Sequence, residues 1–287
     1  MGGSLRRGVT DVHVHLQPFE QAHPATLEVM RQRVKGFGEL LEKLKDPRHL
    51  LDYMDRSGVE RACLISYPAA TVLGLTPDLR ELATYAATDP KRLLPMGSVD
   101  PLHTREPGAE VERLAGLGIR ALKVHPPHQL YPANGYLDGS APGLREIYAT
   151  AERLRMPVMV HTGTSVFPGA RIKYGDPIAL DDVAQDFPDL TLIMAHGGRP
   201  LWCDTAFFLL RRHPRLLFDI SGIPPSRLLS WFPRIEEIGD KVLFGSDWPG
   251  PDVPGMGEEV AAVAALPLSE EFKEKLFVSN ARRVFPG

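Results

Sequence analysis

Short apolar segments of strand length alternate with amphipathic helical segments along almost the whole chain. The eight candidate strands are VTDVHVH (9–15), ERACLIS (60–66), LLPMGSV (93–99), IRALKVH (119–125), PVMVH (157–161), LTLIMAH (190–196), RLLFDIS (215–221) and KVLFGSD (241–247). Strands that alternate with helices form parallel sheets, because each helix returns the chain to the same edge of the sheet. Eight such units within about 250 residues predict a (β/α)8 barrel, an α/β fold.

Helical patterns separate most of these strands. They are PDLRELATYAATD (77–89), GAEVERLAGLG (108–118), APGLREIYATAERL (141–154), PLWCDTAFFLLRRH (200–213) and PSRLLSWFPRIEEIG (225–239). An open, doubly wound sheet is the alternative architecture. That fold usually has a glycine-rich turn after its first strand, where this chain reads HLQPFEQ, so the barrel is favoured.

The stretch 19–56 is a highly charged insertion after the first strand, and its pattern is largely helical. Loops that follow barrel strands overhang the catalytic face. The insertion is therefore a candidate lid or oligomer contact, and a homodimer is left open. Neither a low-complexity linker nor a sharp change in composition interrupts the chain, so we predict one domain over residues 1–287.

The composition excludes several classes of partner. The net charge is −3, which gives no basic surface for nucleic acid or an anionic membrane. No apolar stretch approaches the roughly 18 residues that cross a bilayer, and the opening MGGSLRRGVTDV lacks the apolar core of a signal peptide. Cys63 and Cys203 form no CxxC pair and fit free thiols in a reducing cytosol. We expect a cytoplasmic protein that acts on a small molecule.

Residues that bind metals or carry protons stand at the ends of five of the eight predicted strands. They are His13 and His15, Lys123 and His125, His161, His196, and Asp247. The carboxyl ends of all barrel strands converge at one mouth, so these side chains are expected to meet there. At least three imidazoles and one carboxylate suit a divalent ion, Zn²⁺ first, with Mn²⁺ or Fe²⁺ as alternatives.

Alternation along each strand predicts which side chains face the lumen. Asp11 and His13 share one face of the first strand, whereas Val12 points toward the helices. Asp11 lies one step deeper than His13, so we expect it to support the ligands by hydrogen bonds. His196 is in phase with Met194, and both are expected to face the lumen.

Other residues are weaker candidates. His103 and His128 follow strands on the mouth side and could contact substrate, whereas His23, His49 and His213 are expected at the surface. Candidate partners for a substrate carboxylate are Arg199, Lys123 and Lys173, and candidate stacking residues are Trp202, Trp248 and Phe167. Specificity is expected to reside in the loops 18–50, 126–140 and 163–178.

Five motifs, in this order and spacing, resemble those of the amidohydrolase superfamily. They are DVHVH (11–15), ALKVHPPHQ (121–129), VMVHTG (158–163), IMAHGG (193–198) and FGSDWP (244–249). The chain is most similar to the amidohydrolase-related branch that includes aminocarboxymuconate-semialdehyde decarboxylase, and the similarity extends to the closing NARRVF (280–285). The resemblance implies a distorted (β/α)8 barrel with a metal at its mouth.

The resemblance also assigns roles to individual residues. It implies that His13, His15 and His161 are metal ligands. Asp247 matches the eighth-strand aspartate, a ligand that can also accept a proton. His196 matches the sixth-strand histidine, which in the decarboxylase-like members activates water or polarises substrate rather than always ligating the metal.

Lys123 matches a fourth-strand position at which some binuclear members carry a carboxylated lysine. If unmodified, its ammonium would bind a substrate carboxylate or pair with Asp247. This residue keeps a phosphotriesterase-like enzyme open as an interpretation. TatD-like nucleases are disfavoured, because they typically place a glutamate at the end of a middle strand and the third strand here ends MGSVDP.

Three functions are compatible with these residues. The first is a metal-dependent hydrolase of an amide, ester or lactone, with His196 or Asp247 as the proton acceptor and Lys123 in the catalytic group. The second is a metal-dependent, non-oxidative decarboxylase of an unsaturated or aromatic acid. The third is a binding protein without catalysis, which is disfavoured because every family ligand position holds a competent residue.

Overall fold

The computed structural model describes residues 8–286 and contains one sheet of eight parallel strands. The strands are β1 (Val9–His15), β2 (Val59–Ile65), β3 (Leu93–Gly97), β4 (Ala121–Val124), β5 (Val158–His161), β6 (Leu192–Ala195), β7 (Leu216–Asp219) and β8 (Val242–Leu243). Each strand pairs with its neighbours in sequence, in the order β1 to β8. This order confirms the predicted barrel and excludes the doubly wound sheet, whose strand order reverses.

The sheet closes through backbone hydrogen bonds between β1 and the segment around β8. Val12 N donates to Phe244 O at 2.9 Å, and His15 N donates to Trp248 O at 2.7 Å. Asp247 N donates to His13 O at 2.9 Å. The fold is therefore a TIM barrel whose seam runs beside the predicted metal ligands.

Helices surround the barrel. They are α1 (Pro24–Arg33), α2 (Phe37–Leu44), α3 (Pro47–Ser57), α4 (Ala70–Leu73), α5 (Leu79–Ala86), α6 (Pro107–Gly116), α7 (Pro126–Gln129), α8 (Leu144–Arg153), α9 (Ala179–Asp186), α10 (Cys203–Arg212), α11 (Pro225–Trp231), α12 (Met256–Ala264), α13 (Glu270–Glu274) and α14 (Asn280–Val284). A π-helical turn, Lys275–Ser279, connects the last two. Short 3-10 turns lie at Phe19–Gln21, Ile172–Gly175, His196–Gly198 and Ile235–Lys241.

Local sequence explains where several helices begin and end. The Asp46 carboxylate accepts a hydrogen bond from Arg48 N at the start of α3, and Gly58 ends that helix with a φ of 72°. The helix predicted over 225–239 is interrupted, because Pro233 follows α11 and cannot continue its hydrogen-bond ladder. The sequence pattern did not predict α9, which lies between β5 and β6.

Two apolar clusters form the core, one outside the sheet and one inside the barrel. Alternate residues along β6 belong to different clusters: Leu192 and Met194 pack in the outer one, Ile193 and Ala195 in the inner one. The prediction for Val12 is wrong, because this residue packs in the inner cluster. A register shift in the pairing of β1 with β2 lies between Asp11 and Val14, so strict alternation fails there.

The insertion after β1 contains the 3-10 turn Phe19–Gln21, α1 and α2, with α3 as the first barrel helix. Phe19 and Met30 are buried and line the cavity at the barrel mouth, so the insertion covers part of that mouth. No helix among residues 8–286 is long and apolar enough to cross a membrane. The predicted domain covers residues 1–287, of which residues 1–7 and 287 lie outside the described part of the chain. Most of the opening segment MGGSLRRGVTDV, from which we predicted that a signal peptide is absent, also lies outside it.

Candidate metal centre

A cavity of about 380 Å³ lies at the carboxyl ends of the strands, the face at which TIM-barrel enzymes carry their active sites. Six polar residues at or near strand ends line it: His15, His125, His161, His196, Arg199 and Asp247. Its size is that of a small-molecule site. The structure therefore collects at one mouth residues that are more than 200 positions apart in sequence.

Asp247 lies after the last strand and contacts both histidines at the end of the first strand. His15 Nε2 lies 3.0 Å from Asp247 Oδ1, and His13 Nε2 lies 3.3 Å from the same oxygen. One ligand atom each from His13, His196 and Asp247 lies within 4.8 Å of the others. Burial opposes ionisation of Asp247, but the adjacent His13, His15 and Arg199 hold the pKa of its carboxyl well below the usual value. Asp247 is accordingly a carboxylate, as a metal ligand must be.

His13 is oriented by residues of β7 and the turn after it. Its Nδ1 lies 2.6 Å from Asp219 Oδ2 and 2.9 Å from Ser221 Oγ. Since a carboxylate only accepts hydrogen bonds, Nδ1 carries the proton and Nε2 presents its lone pair toward Asp247. Burial, with a contribution from Lys123, lowers the pKa of His13 to about 4, so the imidazole is neutral and able to bind a metal.

Lys123 is fully buried in the barrel lumen. Its Nζ lies 3.2 Å from His13 Nε2 and 3.5 Å from Met159 Sδ. Burial lowers its pKa to about 8. The predicted pairing of Lys123 with Asp247 is absent from the ion pairs of residues 8–286, in which Asp247 joins His13, His15 and Arg199. Lys123 instead contacts His13 Nε2, the same nitrogen that faces Asp247.

His196 reaches the site by a route that alternation does not predict. Met194 packs in the outer cluster, so a continued strand would direct His196 away from the lumen. The strand instead ends at Ala195, and His196 adopts a φ of 67°, a costly conformation for a residue with a Cβ. Its Nδ1 lies 2.7 Å from Ser221 O, a carbonyl that only accepts, so Nε2 is unprotonated.

His161 supplies a nitrogen without a hydrogen bond. Its side chain is buried, and Nε2 has no hydrogen-bond partner among the described residues. The His161 and His196 ring centroids are 4.6 Å apart. A buried, unpartnered imidazole nitrogen next to the His196 ring is available to a divalent transition ion, although His161 is not part of the close group that His13, His196 and Asp247 form.

Asp11 has the supporting role that the sequence predicted. Its Oδ1 accepts hydrogen bonds from His13 N and Ser246 N, both at 3.0 Å. It therefore ties the backbone of β1 to the segment that precedes Asp247. Burial raises the pKa of Asp11 to about 7.

Gly245 lets the segment after β8 pass close to the side chains of His13 and Asp219. A Cβ at this position would lie 2.3 Å from Asp219 Oδ1 and 2.8 Å from His13 Cβ. We expect Gly245→Ala to lower the free energy of unfolding by about 1–3 kcal/mol and to reduce bound metal, because both contacts involve groups that orient the ligands. Chemical denaturation and metal analysis would measure these effects.

Gly116→Ala is the matched control for this substitution. A Cβ at Gly116, the last residue of α6, meets no atom within 4 Å. Its stability should be unchanged or higher by up to about 1 kcal/mol, since alanine favours helix more than glycine does. Equal stability and metal content in the two variants would contradict the steric role of Gly245.

The remaining sequence candidates divide clearly. His128 and Phe167 line the cavity, whereas Lys173, Trp202 and Trp248 are not among the residues that line it. His103 is about 80% exposed and pairs with Asp100. The prediction that His213 lies at the surface is wrong, because it is buried and pairs with Asp181 at 2.6 Å.

Asp219 is the main site residue that sequence reasoning missed. It is fully buried at the end of β7, in the segment RLLFDIS that was predicted as a strand. The signal was present, because an aspartate that ends an apolar strand obeys the same rule as the histidines that end β1 and β5. The Ser221 hydroxyl, which lies between His13 and His196, had no comparable sequence signal.

A family model described as Amidohydrolase matches residues 10–287. The chain belongs to the amidohydrolase family. Solved structures of similar fold confirm the TIM barrel. An uncharacterised TIM-barrel protein from Bordetella bronchiseptica is 22% identical, with 96% of this chain and 97% of that chain covered and a TM-score of 0.76.

Two further structures of similar fold are of enzymes with a named reaction. A 5-carboxyvanillate decarboxylase from Novosphingobium aromaticivorans, with bound manganese, is 18% identical over 99% of both chains, with a TM-score of 0.66. A 4-oxalomesaconate hydratase from Rhodopseudomonas palustris is 19% identical, with 97% of this chain and 95% of that chain covered and a TM-score of 0.64. At these identities the likeness shows the fold alone, and the reaction must be argued from the site.

Proposed function

We propose that this amidohydrolase is a metal-dependent hydrolase of small molecules that contain an amide, ester or lactone. The observation that carries the proposal is the hydrogen bond from His196 Nδ1 to Ser221 O, at 2.7 Å. It leaves the Nε2 lone pair of a cavity-lining imidazole free to accept a proton. Hydrolysis requires such an acceptor, because water must lose a proton as it attacks.

His13, His15, His161 and Asp247 would hold the metal, with Zn²⁺ first and Mn²⁺ or Fe²⁺ as alternatives. This assignment is supported by the convergence of His13 and His15 on Asp247 Oδ1 and by the unpartnered Nε2 of His161. When bound, such an ion supplies Lewis acidity and lowers the pKa of water.

The side chains then divide the remaining work. His196 Nε2 takes the proton of the attacking water as its oxygen bonds to the substrate carbonyl carbon. The same proton passes from His196 to the leaving nitrogen or oxygen when the carbonyl–heteroatom bond breaks. Arg199, which lies 3.8 Å from Asp247, adds positive charge beside the carbonyl oxygen as that oxygen becomes negative.

Decarboxylation of an unsaturated or aromatic acid is the second candidate. It is supported by the guanidinium of Arg199 and the ring of Phe167, which line the cavity, and by the decarboxylases among the proteins of similar fold. In that reaction the carbon–carboxylate bond breaks, CO₂ leaves, and the remaining carbon takes a proton from an acid of the site. No water is consumed.

Isotope labelling separates the two reactions. Metal-loaded protein would be incubated in H₂¹⁸O with a panel of lactones, amides, esters and unsaturated acids, and the products analysed by mass spectrometry. A hydrolase places one ¹⁸O in its acid product. Release of CO₂ without ¹⁸O in the organic product would instead establish the decarboxylase.

His196→Ala tests whether His196 is the proton acceptor. We expect the variant to retain metal bound by the four proposed ligands but to lose about 10²–10⁴-fold in kcat, the usual contribution of a general base. His103→Ala is the matched control, because His103 is exposed and paired with Asp100, and it should leave kcat unchanged. Full activity of the His196 variant would exclude this residue as the base.

A further inference from the structure

His125 lies in the wall of the cavity, one residue after β4, and the proposed reaction gives it no role. Its ring stacks against His128, with centroids 3.6 Å apart and planes 9° apart, and against His161, at 3.9 Å and 20°. His128 and His161 are farther from each other, at 6.2 Å, so His125 is the middle ring of the three. Stacking fixes the plane of this imidazole and leaves its edge for other contacts.

The two outer rings have assigned partners or an assigned role, whereas His125 has neither. His128 Nδ1 lies 2.9 Å from the Tyr67 hydroxyl, and His128 Nε2 lies 2.7 Å from Ser165 Oγ. His161 is a proposed metal ligand. The side chain of His125 makes no hydrogen bond to any residue of 8–286, and its Nδ1 is buried without a partner.

A buried imidazole in this state needs an explanation. An unsatisfied buried polar group costs about 1–3 kcal/mol, and such groups in folded proteins usually meet water, an ion or a ligand. His125 is 4% exposed and lines the cavity. Its Nδ1 is buried away from that cavity, so a molecule bound there would meet the ring at Nε2. A neutral imidazole offers one N–H donor and one lone pair along its edge, which match a hydroxyl group.

We propose that His125 binds the substrate directly, as the hydrogen-bond partner of a hydroxyl group near the bond that is broken. This inference rests on the proposed function for the position of the reacting bond. His161, which contacts His125, is itself 4.6 Å from His196 by ring centroids. The His161 ring therefore contacts both His125 and the proposed proton acceptor, and the hydrogen bond to His125 selects hydroxylated substrates over their deoxygenated analogues.

The test measures binding rather than turnover, so its result is separate from that of the hydrolysis assay. Benzamide and its 2-, 3- and 4-hydroxy derivatives would be titrated into metal-loaded wild type and His125→Phe by calorimetry. The phenylalanine keeps a flat ring in the stack and removes both nitrogens. We expect the wild type to bind at least one hydroxy isomer about 10-fold more tightly than benzamide, and the variant to show less than a twofold preference.

Two further variants complete the design. His125→Asn retains a donor and an acceptor and should restore part of the preference, whereas His103→Phe, the same substitution at an exposed histidine, should keep the wild-type preference. The thermal midpoint of His125→Phe should be unchanged or higher, because an unsatisfied buried group is removed. An undiminished preference in His125→Phe, no hydroxyl preference in the wild type, or a large loss of stability would overturn the proposal.

Discussion

Asp247→Asn is expected to reduce kcat/KM by about 10³-fold, equivalent to about 4 kcal/mol of transition-state stabilisation, and to weaken metal binding. The carboxylate is the common neighbour of His13 and His15, whose Nε2 atoms lie 3.3 and 3.0 Å from its Oδ1. An asparagine has nearly the same shape but no negative charge to bind a divalent ion or to balance Arg199. Steady-state kinetics and metal analysis of the purified variant would measure both losses.

Asp189→Asn provides the control for this charge removal. Asp189 is about 79% exposed and pairs with Arg215 at the surface, so its replacement should leave kinetics and metal content unchanged. Circular dichroism would establish that both variants are folded. If Asp247→Asn bound metal normally and retained activity within 10-fold of wild type, Asp247 would be neither ligand nor proton acceptor.

Asp219→Asn is expected to lower metal affinity by about 10–100-fold, the usual effect of removing a partner that orients a ligand histidine. Asp219 accepts hydrogen bonds from His13 Nδ1, Ser221 N and Ser221 Oγ at 2.6, 2.9 and 2.7 Å. An amide cannot accept all three, because one of its two positions is a donor. His13 then loses the contact that fixes its tautomer, and titration with Zn²⁺ and Mn²⁺ would measure the weaker binding.

Ser221→Ala distinguishes the effect of the Asp219–His13 hydrogen bond, which fixes the His13 tautomer, from the effect of the Ser221 hydroxyl. The variant removes the hydroxyl but keeps the 2.6 Å contact between Asp219 and His13, so its metal affinity should fall by less than about 10-fold. Equal affinity in Asp219→Asn and the wild type would show that the carboxylate does not control His13.

The barrel and the location of the site could be predicted because both follow from periodicity. The eight strand segments are short and apolar, and the polar residues at their ends mark the mouth in any barrel. Several predicted strands are longer than the observed ones. The clearest case is β8, for which KVLFGSD was predicted and only Val242–Leu243 is strand. The rest of that segment is the irregular chain that bears Asp247.

The two failures of strict alternation, at Val12 and at His196, share one physical cause, which is local departure from regular backbone. Val12 faces the inner cluster because the register of β1 shifts, and His196 faces the cavity because its φ is positive. Asp247 also has a positive φ, 67°. Such conformations depend on the surrounding packing, which a periodic pattern does not describe.

The hydrogen bonds that close the barrel lie at the proposed metal site. Asp247 N donates to His13 O, and His15 N donates to Trp248 O, so two of the three closing hydrogen bonds described above involve the backbone of a proposed ligand. During synthesis, a nascent chain that has not yet reached residue 247 holds only three of the four proposed ligands. An ion bound by all four proposed ligands would therefore link the first strand of the finished barrel to the segment after the last strand.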